Sequence, residues 1–196
     1  MCKDYTKLKS LDELGCAMMK CQQTKTQDVL EHGYSIHNYF RDLKDHILYG
    51  SELQYEWKLP DWIYEENLWD QLLDYQTIRS YHIYHDCGKP FCRYVDDEGR
   101  QHFPNHETIS GQVWRHIGGD EQIARLMEMD MDIHRLRTDG VEEFASRPEA
   151  ATLLITGLCE INSNARMFGG IHSTSFKIKY KNLAKYGGRI AERLCA

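Results

Sequence analysis

Val29, Ile36, Phe40, Leu43 and Ile47 recur at steps of three, four and seven residues, which draws one apolar stripe along a helix over about residues 28–48. His32 precedes Ile36 by one helical step and so falls on the same face. The same period returns in Ile109, Val113, Trp114 and Ile117, in Ile123, Leu126 and Met127, and in Leu154, Ile155, Leu158 and Ile161. No run of period-two alternation competes with these, so the pattern predicts an all-α fold of helices joined by loops. Two stretches interrupt the helical period. Residues 50–67 set Tyr55, Trp57, Trp62 and Tyr64 among acidic residues around Pro60, which reads as an aromatic, acidic insertion able to cover a pocket. Residues 95–100 carry Asp96, Asp97 and Gly99, the residue types of a tight connection. No internal repeat or low-complexity tract is present.

Composition narrows the class without changing the fold reading. A chain of 196 residues, 41% hydrophobic and 28% charged, is long enough to bury a core unaided and too apolar for wholesale disorder. No apolar run approaches the roughly 20 residues of a membrane-spanning helix. The start Met1, Cys2, Lys3, Asp4 lacks the apolar core of a secretory signal, so a cytoplasmic, non-membrane protein is expected. Seven cysteines form no CxxC pair, and Cys2, Cys16, Cys21, Cys87, Cys92, Cys159 and Cys195 are read as thiols. The net charge of −6 opposes a general nucleic-acid binder. The basic stretch of Lys177, Lys179, Lys181, Lys185, Arg189 and Arg193 reads first as a solvated helix face.

The densest chemical signal is His82-Ile83-Tyr84-His85-Asp86-Cys87-Gly88-Lys89-Pro90. Adjacent His and Asp residues at a helix end can offer a metal an imidazole nitrogen and a carboxylate oxygen from one short stretch. Gly88 is expected to let the backbone turn sharply, and Lys89 to present a cation where a phosphate oxygen would sit. Cys87 and Cys92 flank the motif without zinc-knuckle spacing and are expected to be buried thiols. Upstream, His32 lies near the start of its helix; downstream, Phe103-Pro104-Asn105-His106-Glu107 opens another helix with His106 in its first turn.

On these residues the chain resembles the HD-domain superfamily of metal-dependent phosphohydrolases. Members carry a first His in an early helix, a His-Asp doublet often continued as HD-x-G-K, frequently a further His at a helix start, and a final Asp. His32, His85 with Asp86, Gly88 and Lys89, and His106 match that order, and the resemblance covers residues 28–132. It implies one HD-like domain over residues 1–196, with motifs in 28–160, the aromatic insertion between the first His and the doublet, and a C-terminal helical extension over 161–196. The closing acid has two candidates, Asp130 and Asp132. Asp130 and His134, one helical step apart, are expected to share a face, which favours Asp130. Glu160 stands as a weaker closing acid or an outer partner. His82, His102, Asp132 and His134 are candidates for outer hydrogen bonds or substrate contacts, whereas His37, His46, His116 and His172 are expected at the surface or in the core.

The resemblance implies one or two divalent transition metals, with manganese, iron, cobalt, nickel or zinc all suited to such donors and magnesium also admissible. The implied ligands are His32, His85, Asp86, His106 and Asp130; Asp86, Lys89 and His106 are the implied catalytic groups. The implied substrate is a small phosphorylated compound, a nucleotide or a phosphorylated nucleic-acid end. A minority of HD-type proteins are mixed-valent di-iron oxygenases cleaving a C–C or C–P bond, and these stand as the alternative. Trp57, Trp62 and Trp69 could stack a base, although large aromatics in a helical domain mostly bury area.

Overall fold

The computed structural model describes residues 4–195; Cys2 lies outside the described residues. Along the chain run α1 (Leu11–Met19), α2 (Val29–Tyr49), α3 (Glu66–Asp70), α4 (Tyr75–Tyr84), α5 (Lys89–Cys92), the strands β1 (Tyr94–Val95) and β2 (Gln101–His102), α6 (His106–His116), α7 (Glu121–Met129), α8 (Asp132–Arg135), α9 (Val141–Ala145), α10 (Ala150–Ser163) and α11 (Thr174–Leu194). Short 3₁₀ turns at Tyr5–Lys7, Asp61–Tyr64, Thr138–Gly140 and Ala165–Phe168 complete the described chain. The fold is helical, as the periodicity predicts. The small exception is an antiparallel hairpin pairing Tyr94 with His102 and Val95 with Gln101.

The chain divides into two compact units, one of residues 1–34 and 75–130, the other of 35–74 and 131–196. Helix α2 begins in the first and continues in the second. Its start is fixed by a reciprocal capping box, in which the Asp28 carboxylate accepts from the Glu31 amide at 2.8 Å and the Glu31 carboxylate accepts from the Asp28 amide at 2.9 Å. That cap sets the phase of the helix and so fixes where His32 points.

In the first unit α7 packs against both α6 and α4, and Leu14, Met18, Ile78, Ile83, Val113, Leu126 and Met127 are buried. The α6–α7 pair is clamped by Arg115, whose guanidinium donates to both Glu121 and Glu128. The α2 and α4 backbones approach so closely that a Cβ on Gly33 would lie only 2.2 Å from the Ile83 carbonyl oxygen; only glycine permits that contact.

In the second unit α10 is buried on nearly every side and packs against α11, the behaviour of an all-round apolar helix. Helix α11 buries Phe176, Tyr180, Leu183, Ile190 and Ala191, so the C-terminal segment supplies core to this unit. Its Lys177, Lys179, Lys181, Lys185 and Arg193 are exposed and Arg189 is half-buried, in line with the solvated-face reading. Ser173 is used as the α11 cap, its hydroxyl accepting from the Phe176 amide at 3.1 Å.

Residues 50–67 are tied down in this second unit. Asp42 on α2 accepts from the Gln54 amide at 2.9 Å, the Tyr55 amide at 3.2 Å and the Trp57 indole at 2.9 Å, while Tyr39 stacks on Tyr55 with centroids 4.4 Å apart. Trp62 and Trp69 are buried and donate their indole N–H groups to the carbonyls of Ala184 and Ile63. The Trp62 and Trp69 rings are therefore core. Among the described residues no helix is long and apolar enough to cross a membrane. The six described cysteines are free thiols.

Candidate metal centre

Helix α4 ends at Tyr84 and its last turn runs on through residues 85–88. Within that turn the His85 Nδ1–H donates to the His82 carbonyl at 2.9 Å, because a carbonyl oxygen can only accept. In a neutral imidazole this fixes the tautomer and leaves Nε2 as the donor atom for a cation. His85 Nε2 lies 3.2 Å from Asp86 Oδ2 and His32 Nε2 lies 3.6 Å from the same oxygen. His32, His85 and Asp86 are all buried.

His106 repeats this arrangement from another element. Asn105 adopts φ 52° and ψ 30°, the left-handed region that asparagine tolerates better than most side chains, and that bend turns the chain into α6. The His106 Nδ1–H donates to the Phe103 carbonyl at 3.0 Å, and its Nε2 stands 3.5 Å from Asp86 Oδ1. That oxygen is buried and accepts no hydrogen bond.

The electrostatics of Asp86 follow from its neighbours. Burial by itself would raise the carboxyl, but the His85 imidazole, the Lys89 ammonium and His106 outweigh it and hold the group well below the usual carboxylate range. Asp86 is thus ionised at neutral pH. Imidazole nitrogens turned toward a buried carboxylate call for positive charge, which a proton or a metal ion can supply.

One donor atom from each of His32, His85 and Asp86 lies within 4.8 Å of the other two. Donors about 2.1 Å from a shared ion stand at most about twice that far apart, so these three fit a metal after small adjustments. The donor set, imidazole with carboxylate, suits a borderline transition ion.

The other expected site residues distribute unevenly. Lys89 is buried, with Nζ 2.5 Å from Asp86 Oδ2 and 2.9 Å from the Gln23 amide oxygen; a phosphoryl oxygen reaching it would share it with these partners. Asp130, the C-cap of α7, is buried and accepts from the Tyr81 hydroxyl at 2.5 Å. The Tyr81 ring lies edge-on to His85 with centroids 6.3 Å apart. His106 and Asp130 are not in the mutual group of three donors found among the described residues. His82 is buried on α4 and supplies the carbonyl that orients His85. His102 belongs to the hairpin, where its Nε2 is 2.7 Å from Asp96 Oδ2 and its ring stacks on Tyr94.

Asp132, His134 and Glu160 belong to the second unit. Asp132 is paired with Arg147 at 2.5 Å, and His134 Nε2 meets Glu160 Oε2 at 2.7 Å. The shared helical face expected for Asp130 and His134 does not form, because α7 ends at Met129 and a separate helix starts at Asp132.

Gly88 also differs from expectation. Its φ of −76° and ψ of −23° are open to any residue, so no sharp turn requires glycine. The requirement is space: a Cβ there would lie 2.5 Å from the Ser110 amide nitrogen and 2.7 Å from the His106 carbonyl oxygen. The Gly88 amide donates to Ser110 Oγ at 2.9 Å, which seats the His-Asp turn directly on α6.

Cys87 is fully buried, with burial pushing its thiol up, and its Sγ contacts the Ser110 carbonyl at 3.5 Å. Cys92 Sγ lies 3.8 Å from the Lys89 carbonyl. Neither belongs to the donor group. His37 is buried and stacks on Phe40, His46 and His116 contact the carbonyls of Ser51 and Leu8, and His172 is exposed.

Sequence reasoning passed over Tyr81, Gln23 and Ser110. Tyr81 alone carried a usable signal, since it precedes His85 by one helical step. Comparison of the chain with family models, with curated proteins and with solved structures returns no match.

Proposed function

We propose that this chain is a metal-dependent phosphohydrolase of the HD type, acting on a phosphate ester or anhydride of a nucleotide or of a phosphorylated nucleic-acid end. The observation that carries the proposal is the placement of His32, His85 and His106 with Nε2 toward the two oxygens of one buried, ionised carboxylate. His32, His85 and Asp86 are the residues that would hold the metal, with His106 and Asp130 as further ligands for the same or a second ion. A divalent metal held there supplies Lewis acidity that makes water a competent nucleophile near neutral pH.

The chain's own groups have separable duties. The carbonyls of His82 and Phe103 hold the His85 and His106 rings in the tautomer with Nε2 unprotonated. Lys89, itself held by Gln23, fixes the orientation of Asp86 and sets positive charge beside the carboxylate. That charge favours an anionic substrate in the same place. The Tyr81 hydroxyl orients the Asp130 carboxylate.

The test is inorganic phosphate release from a panel of nucleoside mono-, di- and triphosphates and 5′-phosphorylated oligonucleotides, with manganese, cobalt, nickel or magnesium added singly. Release that requires metal, stops with chelator and is lost in a folded Asp86→Ala variant supports the proposal. Turnover unchanged in Asp86→Ala would end it.

A further inference from the structure

The second unit contains a cavity of about 240 Å³ lined from α8, α10, α11 and the turn at Ala165–Phe168, a volume somewhat below that of drug-sized sites. Met131, Ile133, Ile161, Ile178, Leu183 and the Phe168 ring form its apolar side. Its polar members are His134, Glu160, Asn164, Lys179 and Asn182. The Glu160 carboxylate is engaged by His134, whose Nε2 lies 2.7 Å from Oε2. Lys179 makes no ion pair among the described residues, and its ammonium sits over the Phe168 ring with Nζ 5.1 Å from the centroid. The Asn164 and Asn182 side-chain amides likewise have no hydrogen-bond partner among the described residues. A pocket with one apolar wall thus carries the exposed Lys179 ammonium, the exposed Asn182 amide and the half-buried Asn164 amide as donors.

We propose that this cavity is a binding site for a small organic oxyanion, a carboxylate or phosphate monoester borne on an apolar or aromatic body. The oxyanion takes Lys179 and the amides of Asn164 and Asn182, and charged acceptors strengthen such bonds relative to neutral ones. The body of the ligand lies against Phe168 and the aliphatic wall, where burial of apolar area supplies the remaining affinity. Free phosphate would satisfy the cation yet leave the wall wet. The site is independent of the reaction proposed for the His-Asp centre.

The probes are phenyl phosphate, benzoate and inorganic phosphate, titrated calorimetrically into the full chain in the presence of chelator. The expected result is that phenyl phosphate or benzoate binds, with inorganic phosphate much weaker, and the preference between the first two tells which oxyanion the site favours. Lys179→Gln should weaken binding by roughly tenfold, Lys179→Arg should retain it, and Asn182→Trp, which replaces a lining amide with a bulky ring, should abolish it. Asp86→Ala should bind as the unaltered chain does. Absence of binding by both aromatic probes overturns the proposal. So does binding unchanged in Lys179→Gln and Asn182→Trp, or binding lost with Asp86→Ala.

Discussion

Replacing Gly88 by alanine introduces one methyl group into a place where backbone atoms already meet. The new Cβ would stand 2.5 Å from the Ser110 nitrogen, 2.7 Å from the His106 oxygen and 2.9 Å from the Ile109 carbonyl carbon. All three are main-chain atoms of one helical turn, so no flexible side-chain end can swing aside; the His-Asp turn and α6 must separate. Overpacking of this kind costs about 1–3 kcal/mol, and stretching the Gly88 amide bond to Ser110 Oγ adds about 0.5–1.5 kcal/mol. A loss on the order of 10 °C in Tm is expected for a chain of this size. Gly15 is the matched control. It sits inside α1 with nothing within 4 Å of its added Cβ, so Gly15→Ala should gain about 0.5–1 kcal/mol from helix propensity. Thermal and urea unfolding of the two variants beside the parent measures both effects. A Gly88→Ala protein as stable as the parent would refute the close seating of the turn on α6.

Tyr81→Phe removes the hydroxyl from buried Asp130, so stability should fall by about 1–3 kcal/mol, read by denaturant unfolding. Asp42→Ala releases two amides and the Trp57 indole at once; hydrogen exchange at Gln54 and Tyr55 should speed up markedly while the amides of α6 keep their protection. The Asp96 carboxyl, which accepts from His102, from the Arg100 and Glu98 amides and from the Arg100 side chain, is pulled down to about 2 from an ordinary 3.8. Because the folded value lies below the unfolded one, the hairpin's stabilisation is complete above the unfolded value and is lost as pH falls through 2. An NMR titration of the Asp96 side chain with a midpoint near 4 would contradict this.

The stripe of Val29, Ile36, Phe40 and Leu43 made α2 legible, whereas the short α1 went unread and the Asp28–Glu31 cap emerged only from the structure. The hairpin was not legible, because strands of two residues are too short to show alternation; only its turn left a trace in Asp96 and Gly99. The break between α7 and α8 carries no Gly or Pro, and Asp130 and Met131 both keep helical-region backbone angles, so nothing in the sequence separates Asp130 from His134 as helical neighbours. The His-Asp turn was visible as a motif, yet its supports lie far away in sequence. Gln23 is 66 residues from Lys89 and Ser110 is 22 from Gly88, distances at which spacing gives no information. Gly88 shows the same gap, since a glycine demanded by a neighbour's backbone looks in sequence like a glycine demanded by a turn.

The most direct measurement is the metal content per chain of purified protein and of its Asp86→Ala variant, taken alongside phosphate release by the same samples. Divalent metal retained by the parent, absent from Asp86→Ala, and matched by metal-dependent phosphate release is the predicted result. Equal metal in both proteins, or none in the parent even after incubation with manganese, cobalt, nickel, iron and zinc, would contradict a metal centre on His32, His85 and Asp86. Two irons per chain with dioxygen uptake and no phosphate release would contradict the hydrolase and select the di-iron oxygenase.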